Sequence, residues 1–247
     1  MRGWRNIWAV PMIKIDNGAY QTPKFSLSIN LHLKANVFAA VLGTSGSGKS
    51  TLLSLLAGFE RLNQGNMFLG GINMAGVDPA QRPVSMVFQD HNVFSHLTVQ
   101  ENVAIGISPS LKLSEPELVR VDAALSRVGL SAYAERKPNS ISGGVRQRIA
   151  LARVLVRDKK ILLLDEPFAA LDPGLRHDML NLVSELKAER GLTVLLVTHQ
   201  PEEAERAAEQ IIFVSNGKVR EPVACQDFFT LHDPEIDAYL GQSRFDG

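Results

Sequence analysis

The chain of 247 residues has a single cysteine, Cys225, which excludes an internal disulfide and fits a reducing compartment. It lacks a long apolar run: none approaches the roughly 20 residues that a spanning helix needs, so the chain is not expected to cross a bilayer itself. It also lacks a charge of one sign. Lys and Arg number 26 and Asp and Glu 26, which gives no basic excess to capture bulk nucleic acid and none to hold a lipid surface. Internal repeats, low-complexity tracts and long linkers are missing too. The stretch Met1 to Val10, with Arg2 and Arg5, is too short and mixed for a signal peptide, and residues 1–11 are read as a loose extension. What is present is enough apolar content, 45%, to bury a full core, so residues 12–247 are expected to form one domain.

Short apolar runs alternate with helix-like stretches, which makes the expected class α/β with a mostly parallel sheet flanked by helices. Val37 to Leu42, Ile161 to Leu164 and Thr193 to Val197 are nearly continuous apolar runs, as in strands buried on both faces. Each ends at a loop rich in polar chemistry, where open α/β sheets gather their ligands. Gly70-Gly71 inside Asn66 to Met74 reads as a hairpin turn and predicts a small antiparallel β subdomain. From Asp90 to about Asn139 the pattern is mainly helical. A helical subdomain inserted at about residues 90–150 is therefore expected.

The strongest chemical signal is Gly43-Thr44-Ser45-Gly46-Ser47-Gly48-Lys49-Ser50, followed by Thr51 and a helical run. It fits the P-loop of a P-loop NTPase, with the strand before and the helix after that the pattern requires. Its glycines let successive backbone N–H groups turn inward around phosphate, and the helix points its positive end the same way. Lys49 is expected on the terminal phosphates, and Ser50 is expected to offer its hydroxyl to Mg²⁺. A Gly/Ser-rich surface loop is the plain alternative, and it would need strand, spacing, Lys-Ser and helix to coincide by chance.

Ile161 to Leu164 runs into Asp165-Glu166. Asp165 suits the Mg²⁺ shell and Glu166 the polarisation of an attacking water. Capping of the following helix is the lesser, structural alternative for Glu166 taken alone. His199, after the run ending at Val197, could touch the γ-phosphate, although a histidine at a strand end is more often structural. Gln89, after Val84 to Phe88, is a further candidate ligand for Mg²⁺ or water.

The sequence Ile141-Ser142-Gly143-Gly144, followed by Val145-Arg146-Gln147-Arg148-Ile149-Ala150-Leu151-Ala152-Arg153, resembles the signature segment of the ABC ATPase family. Two glycines opening a helix expose N–H donors and Ser142 adds a hydroxyl, which makes a second phosphate clamp. Val145, Ile149, Ala152 and Val156 fall on one helical stripe for burial, with Arg146, Arg153 and Arg157 beside it. Ala170-Leu171-Asp172 resembles the family's D-loop. The resemblance covers nearly all of the chain after Met12, with the motifs in the family's order. It departs at Val145, where members usually carry glutamine, and a weakened clamp is expected from the loss of that amide. The adenine-stacking aromatic is not plainly marked, and Tyr20 is the first candidate with Phe25 the second.

The resemblance implies an ATP-binding and ATP-hydrolysing subunit that uses ATP and Mg²⁺. It further implies a head-to-tail homodimer in which Ser142, Gly143, Gly144 and Asp172 of one copy complete the nucleotide site of the other. Partners implied are transmembrane permease subunits, reached around Gln89 and Phe94, and through them an extracytoplasmic solute-binding protein. The implied place is peripheral, on the cytoplasmic face of the bacterial inner membrane. Arg82 to Gln89 with Asn92 to Val99 is most similar to bacterial importer ATPases, above all those for thiamine, with iron, polyamine and sulfate importers as alternatives. A soluble family member acting on DNA or ribosomes is disfavoured by the lack of a coiled-coil insertion, a second cassette or a basic excess. A cassette that only binds ATP is disfavoured by Glu166 and His199.

Overall fold

The structure, a computed structural model, describes residues 11–88, 93–138 and 142–243. The expected N-terminal extension lies outside the described residues apart from its last one, and so does Gln89.

Strict alternation of apolar and polar residues in Phe25–Leu33 makes β2 a strand with one wet face. Leu27, Ile29, Leu31 and Leu33 are buried, while Ser28, Asn30 and His32 are exposed. It pairs antiparallel with β1, Ile13–Thr22, which pairs in turn with β4, Gln64–Leu69. The antiparallel part is thus larger than the hairpin expected from sequence. That hairpin is present: Leu69 pairs with Ile72 of β5, Ile72–Asn73, across Gly70 and Gly71, whose φ angles of 56° and 80° are the twist a primed turn needs.

The parallel part consists of β3 (Phe38–Leu42), β6 (Val84–Val87), β7 (Ile161–Asp165), β8 (Thr193–Val197) and β9 (Gln210–Ser215). β3, β7 and β8 are buried at every residue, as expected of strands covered on both faces. Two short strands, β10 at Lys218–Val219 and β11 at Val223–Ala224, complete the mixed sheet. Its order is β5-β4-β1-β2-β10-β9-β3-β8-β7-β6, with β11 paired to β9. The central neighbours β3, β8 and β7 run parallel, so their carboxyl ends share one edge.

Helix α1, Lys49–Ala57, fills the space between β1, β2 and the parallel strands with Leu52, Leu53, Leu55 and Leu56, each at most 1% exposed. Each such side chain contributes about 1.5–3 kcal/mol of burial. Between β6 and β7 the chain forms α2 (Val99–Ala104), α3 (Glu115–Arg127) and α4 (Gly143–Leu155). α2 opens on a capping box of Thr98 and Glu101. The three helices bury Val103, Val121, Leu125 and Ile149 in one cluster, together with α5, Pro173–Arg190. Val145, Ile149, Ala152 and Val156 of α4 and its cap are all buried, as the stripe required. The chain closes with α6 (Pro201–Ala207), α7 (Cys225–Phe228) and α8 (Pro234–Ser243). Cys225 is buried, and burial pushes the pKa of its thiol up.

Candidate nucleotide site

The loop after β3 is held by close approaches. Gly43 has φ 150°, and a Cβ there would stand 2.0 Å from the carbonyl oxygen of Val214. Gly48 has φ 111°, and a Cβ there would stand 2.8 Å from the ring of Phe25. No side chain fits at either position, so this backbone path is reserved for glycine. Above it opens a cavity of about 590 Å³ lined by Ser45, Gly46, Gly48, Lys49, Ser50 and Thr51, by Tyr20, Thr22 and Phe25, and by Glu166 and His199.

Lys49 is 5% exposed, and its Nζ donates to the carbonyls of Gly43 at 2.8 Å and Thr44 at 2.9 Å. An ammonium has three donors, which leaves one for an anion in the cavity. Burial lowers its pKa, and the carboxylates of Glu166 and Asp165 act against that. The Ser47 hydroxyl is buried without a hydrogen-bond partner, as suits a loop built around a ligand rich in acceptors. Ser50 Oγ donates to Asp165 Oδ1 at 3.1 Å. Burial raises the pKa of Asp165, and the Ser50 hydrogen bond opposes it. A hydroxyl and a carboxylate together beside a phosphate loop are the oxygen donors a small hard cation takes, and no group of three or more His, Cys, Asp or Glu among the described residues offers a rival metal cage.

Glu166 follows β7 in a left-handed conformation, φ 47°. It does not cap a helix. Its Oε1 is 2.6 Å from Nε2 of His199, which follows β8. The pairing of β7 with β8 is what brings these residues together, 33 positions apart in sequence, in the lining of the cavity. Tyr20 and Phe25 both line it. The Phe25 ring lies close enough to Gly48 that a Cβ there would meet it, and a hydrogen bond to Glu60 raises the phenol pKa of Tyr20. Thr22, not expected from sequence, lines the cavity from the end of β1, where its Oγ1 accepts from Phe25 N at 3.1 Å. The paired alternation on either side of it was the available signal.

Ser142, Gly143, Gly144 and Asp172 do not line this cavity. Ser142 is the N-cap residue of α4, yet its side chain makes no capping bond. Asp172 is engaged locally, its Oδ1 accepting from Leu175 N at 3.0 Å to cap α5. A second cavity of about 420 Å³ lies between β6 and α4, lined by Met86, Val87, Phe88, Val93, Phe94, Arg153 and Arg157 among others. Phe94, 45% exposed, sits on its rim with the Arg153 guanidinium 5.5 Å from its ring centroid.

The model of the ABC transporter family matches residues 27–169. The chain is 48% identical over 232 residues to a thiamine import ATP-binding protein of Mesorhizobium japonicum, covering 94% of this chain and 92% of that protein. It is 51% identical over 208 residues to the protein of the same name from Haemophilus influenzae, covering 84% and 97%. Among solved structures, an ATP-binding cassette of an ABC transporter in its ADP conformation superposes with TM-score 0.82 at 24% identity, covering 93% of this chain and 98% of that one, which speaks for the fold. A cbiO1 protein of Clostridium perfringens, part of the ABC transporter complex cbiONQ, gives 0.79 at 28% identity, covering 89% and 91%. The chain belongs to the ABC transporter family and is one of its ATP-binding ATPases.

Proposed function

We propose that the chain is the ATPase subunit that energises uptake of thiamine or its phosphates through membrane permease subunits. The observation that carries the ATPase part is the Glu166–His199 pair in the lining of the P-loop cavity. The solute is supported by the relatives, which are named for thiamine import and cover almost the whole chain.

Lys49 and the backbone from Gly43 to Thr51 hold the phosphates of ATP, and Tyr20 stacks on the base. Mg²⁺ would be held by Ser50 and Asp165, with Gln89 as a further ligand, and would supply positive charge against the phosphate oxygens. Glu166 accepts a hydrogen bond from the attacking water and polarises it. His199 orients Glu166 and faces the terminal phosphate. Ser142, Gly143, Gly144 and the Asp172 loop, which do not line this cavity, act on the nucleotide of a second, head-to-tail copy. ATP therefore favours the closed pair, and hydrolysis releases it. The cavity rimmed by Phe94 receives the permease, and an extracytoplasmic binding protein delivers solute on the far side. The chain thus works as a peripheral subunit on the cytoplasmic face of the inner membrane.

The test is to disrupt the gene in its native cell and follow uptake of labelled thiamine beside another vitamin. Loss of high-affinity thiamine uptake alone is expected. Normal thiamine uptake would end the solute assignment and turn attention to iron, polyamine or sulfate.

A further inference from the structure

One guanidinium outside the nucleotide cavity joins the parts that have to act together. Arg176 lies in the first turn and a half of α5, and the helix start is already capped by Asp172, so the arginine is not needed for that purpose. Its Nη2 donates to the carbonyl of Leu171 at 3.0 Å. Its Nη1 donates to Oε1 of Gln200, the residue after His199. Its Nε stands 3.5 Å from Oε1 of Glu203.

Both ends of this bridge lead to chemistry. Leu171 is packed so closely on the start of α4 that a Cβ on Gly144 would stand 3.1 Å from its Cδ2. Gln200 is fixed by its own N–H to Thr198 Oγ1 at 3.0 Å and, through its carbonyl, to Glu203 N at 3.1 Å. Between Thr198 and Gln200 stands His199, 2.6 Å from Glu166. A planar fork with fixed donor directions can hold two segments at a set spacing, which a lysine cannot.

Stability is a poor account of this arrangement. Arg176 and Glu203 side chains are only 17% and 8% exposed. Burial still raises the pKa of Glu203 in spite of the nearby guanidinium. A buried ion pair of that kind adds little net stability over an apolar pair of the same shape.

We propose that Arg176 is a positioning residue for hydrolysis, tying the Leu171–Asp172 segment against Gly144 to the Gln200 side of His199, so that the seating of the signature segment sets the orientation of the imidazole. This rests on the ATPase mechanism proposed above.

The experiment measures steady-state ATPase on the chain with its permease, well below the unfolding temperature of every variant, for Arg176→Met, Arg176→Lys, Gln200→Leu and Glu166→Gln. Arg176→Met is expected to lower kcat about tenfold or more while KM for ATP stays within about twofold. Arg176→Lys keeps the charge without the fork and should lie near Arg176→Met. Gln200→Leu removes only the acceptor on the histidine side, at a half-buried position, and should reproduce the loss. It decides the matter alone if the arginine variants do not fold. Wild-type kcat in folded Gln200→Leu, or recovery in Arg176→Lys, overturns the proposal. Wild-type turnover in Glu166→Gln instead overturns the mechanism beneath it.

Discussion

Nε2 of His199 lies 2.6 Å from Oε1 of Glu166, although the two residues come from the ends of different strands. The contact engages one carboxylate oxygen with the ring and leaves Glu166 lining the cavity beside Lys49. A base whose direction is fixed by a second side chain loses little freedom when water is bound, which is the geometric condition for general-base work.

Glu166→Gln keeps the shape and removes the charge. The variant is expected to bind Mg-ATP while turnover falls by about 10²–10⁴, the usual worth of a positioned base. At saturating ATP it should elute as a dimer from a size-exclusion column. Wild-type turnover would take Glu166 out of the chemistry, and strictly monomeric elution would count against the head-to-tail site.

Lys49→Ala removes a buried cation that lines the cavity and has a donor to spare. Hydrogen bonds to charged groups contribute about 1.5–3 kcal/mol, so ATP affinity should weaken by about one to two orders of magnitude. Equilibrium binding of a fluorescent ATP analogue measures this. An unchanged Kd would undo the phosphate role of the loop.

Val145 was expected from sequence to be a defect in the clamp, where glutamine would add a bond across the dimer seam. In the structure it is 6% exposed and packs in the cluster of Ile149, Leu151 and Leu171. The seam bond would add about 0.5–1.5 kcal/mol, whereas an amide left unpaired in that cluster costs about 1–3 kcal/mol. The packing cost wins. Val145→Gln should therefore lower Tm by roughly 2–10 °C without easing ATP-dependent dimerisation. An unchanged Tm, with dimers forming at several-fold lower ATP, would restore the reading of a weakened clamp.

Motifs that combine a strand, a loop and a helix were legible because each part carries its own pattern. The run before Gly43 and the glycines at 43, 46 and 48 announce the P-loop in one continuous stretch. The buried strands β3, β7 and β8 were legible for the same reason. The extent of the antiparallel part was missed, although the alternation from Phe25 to Leu33 spells it out. The partnership of Arg176 with Gln200 could not be read. Nothing local marks it, since it exists only because α5 and the segment after β8 lie side by side. Tyr20 and Phe25 could not be told apart in the sequence for a similar reason, since the pairing of β1 with β2 brings both residues to the cavity.

Glu203 gives a pH test. Its pKa is raised above 4.5, first by burial. The folded chain then holds this proton more tightly than the unfolded chain, so the contribution is most favourable below 4.5 and is lost as pH rises through the raised folded value. Glu203→Gln removes the ionisation. Its Tm relative to wild type should rise as pH is taken from about 4.5 towards neutrality. A difference that shrinks over that range would mean that the ion pair with Arg176 outweighs burial.

Glu166 sits at φ 47°, a backbone region that glycine and asparagine enter more readily than glutamate. On the mechanism proposed above, folding and turnover therefore set opposite preferences at one codon. A library randomised at this position and sorted only for soluble, heat-resistant protein should drift towards glycine and asparagine. The same library sorted for growth that depends on the transporter should return glutamate. The divergence between the two pools reports how much backbone strain the lineage has retained for the sake of its reaction.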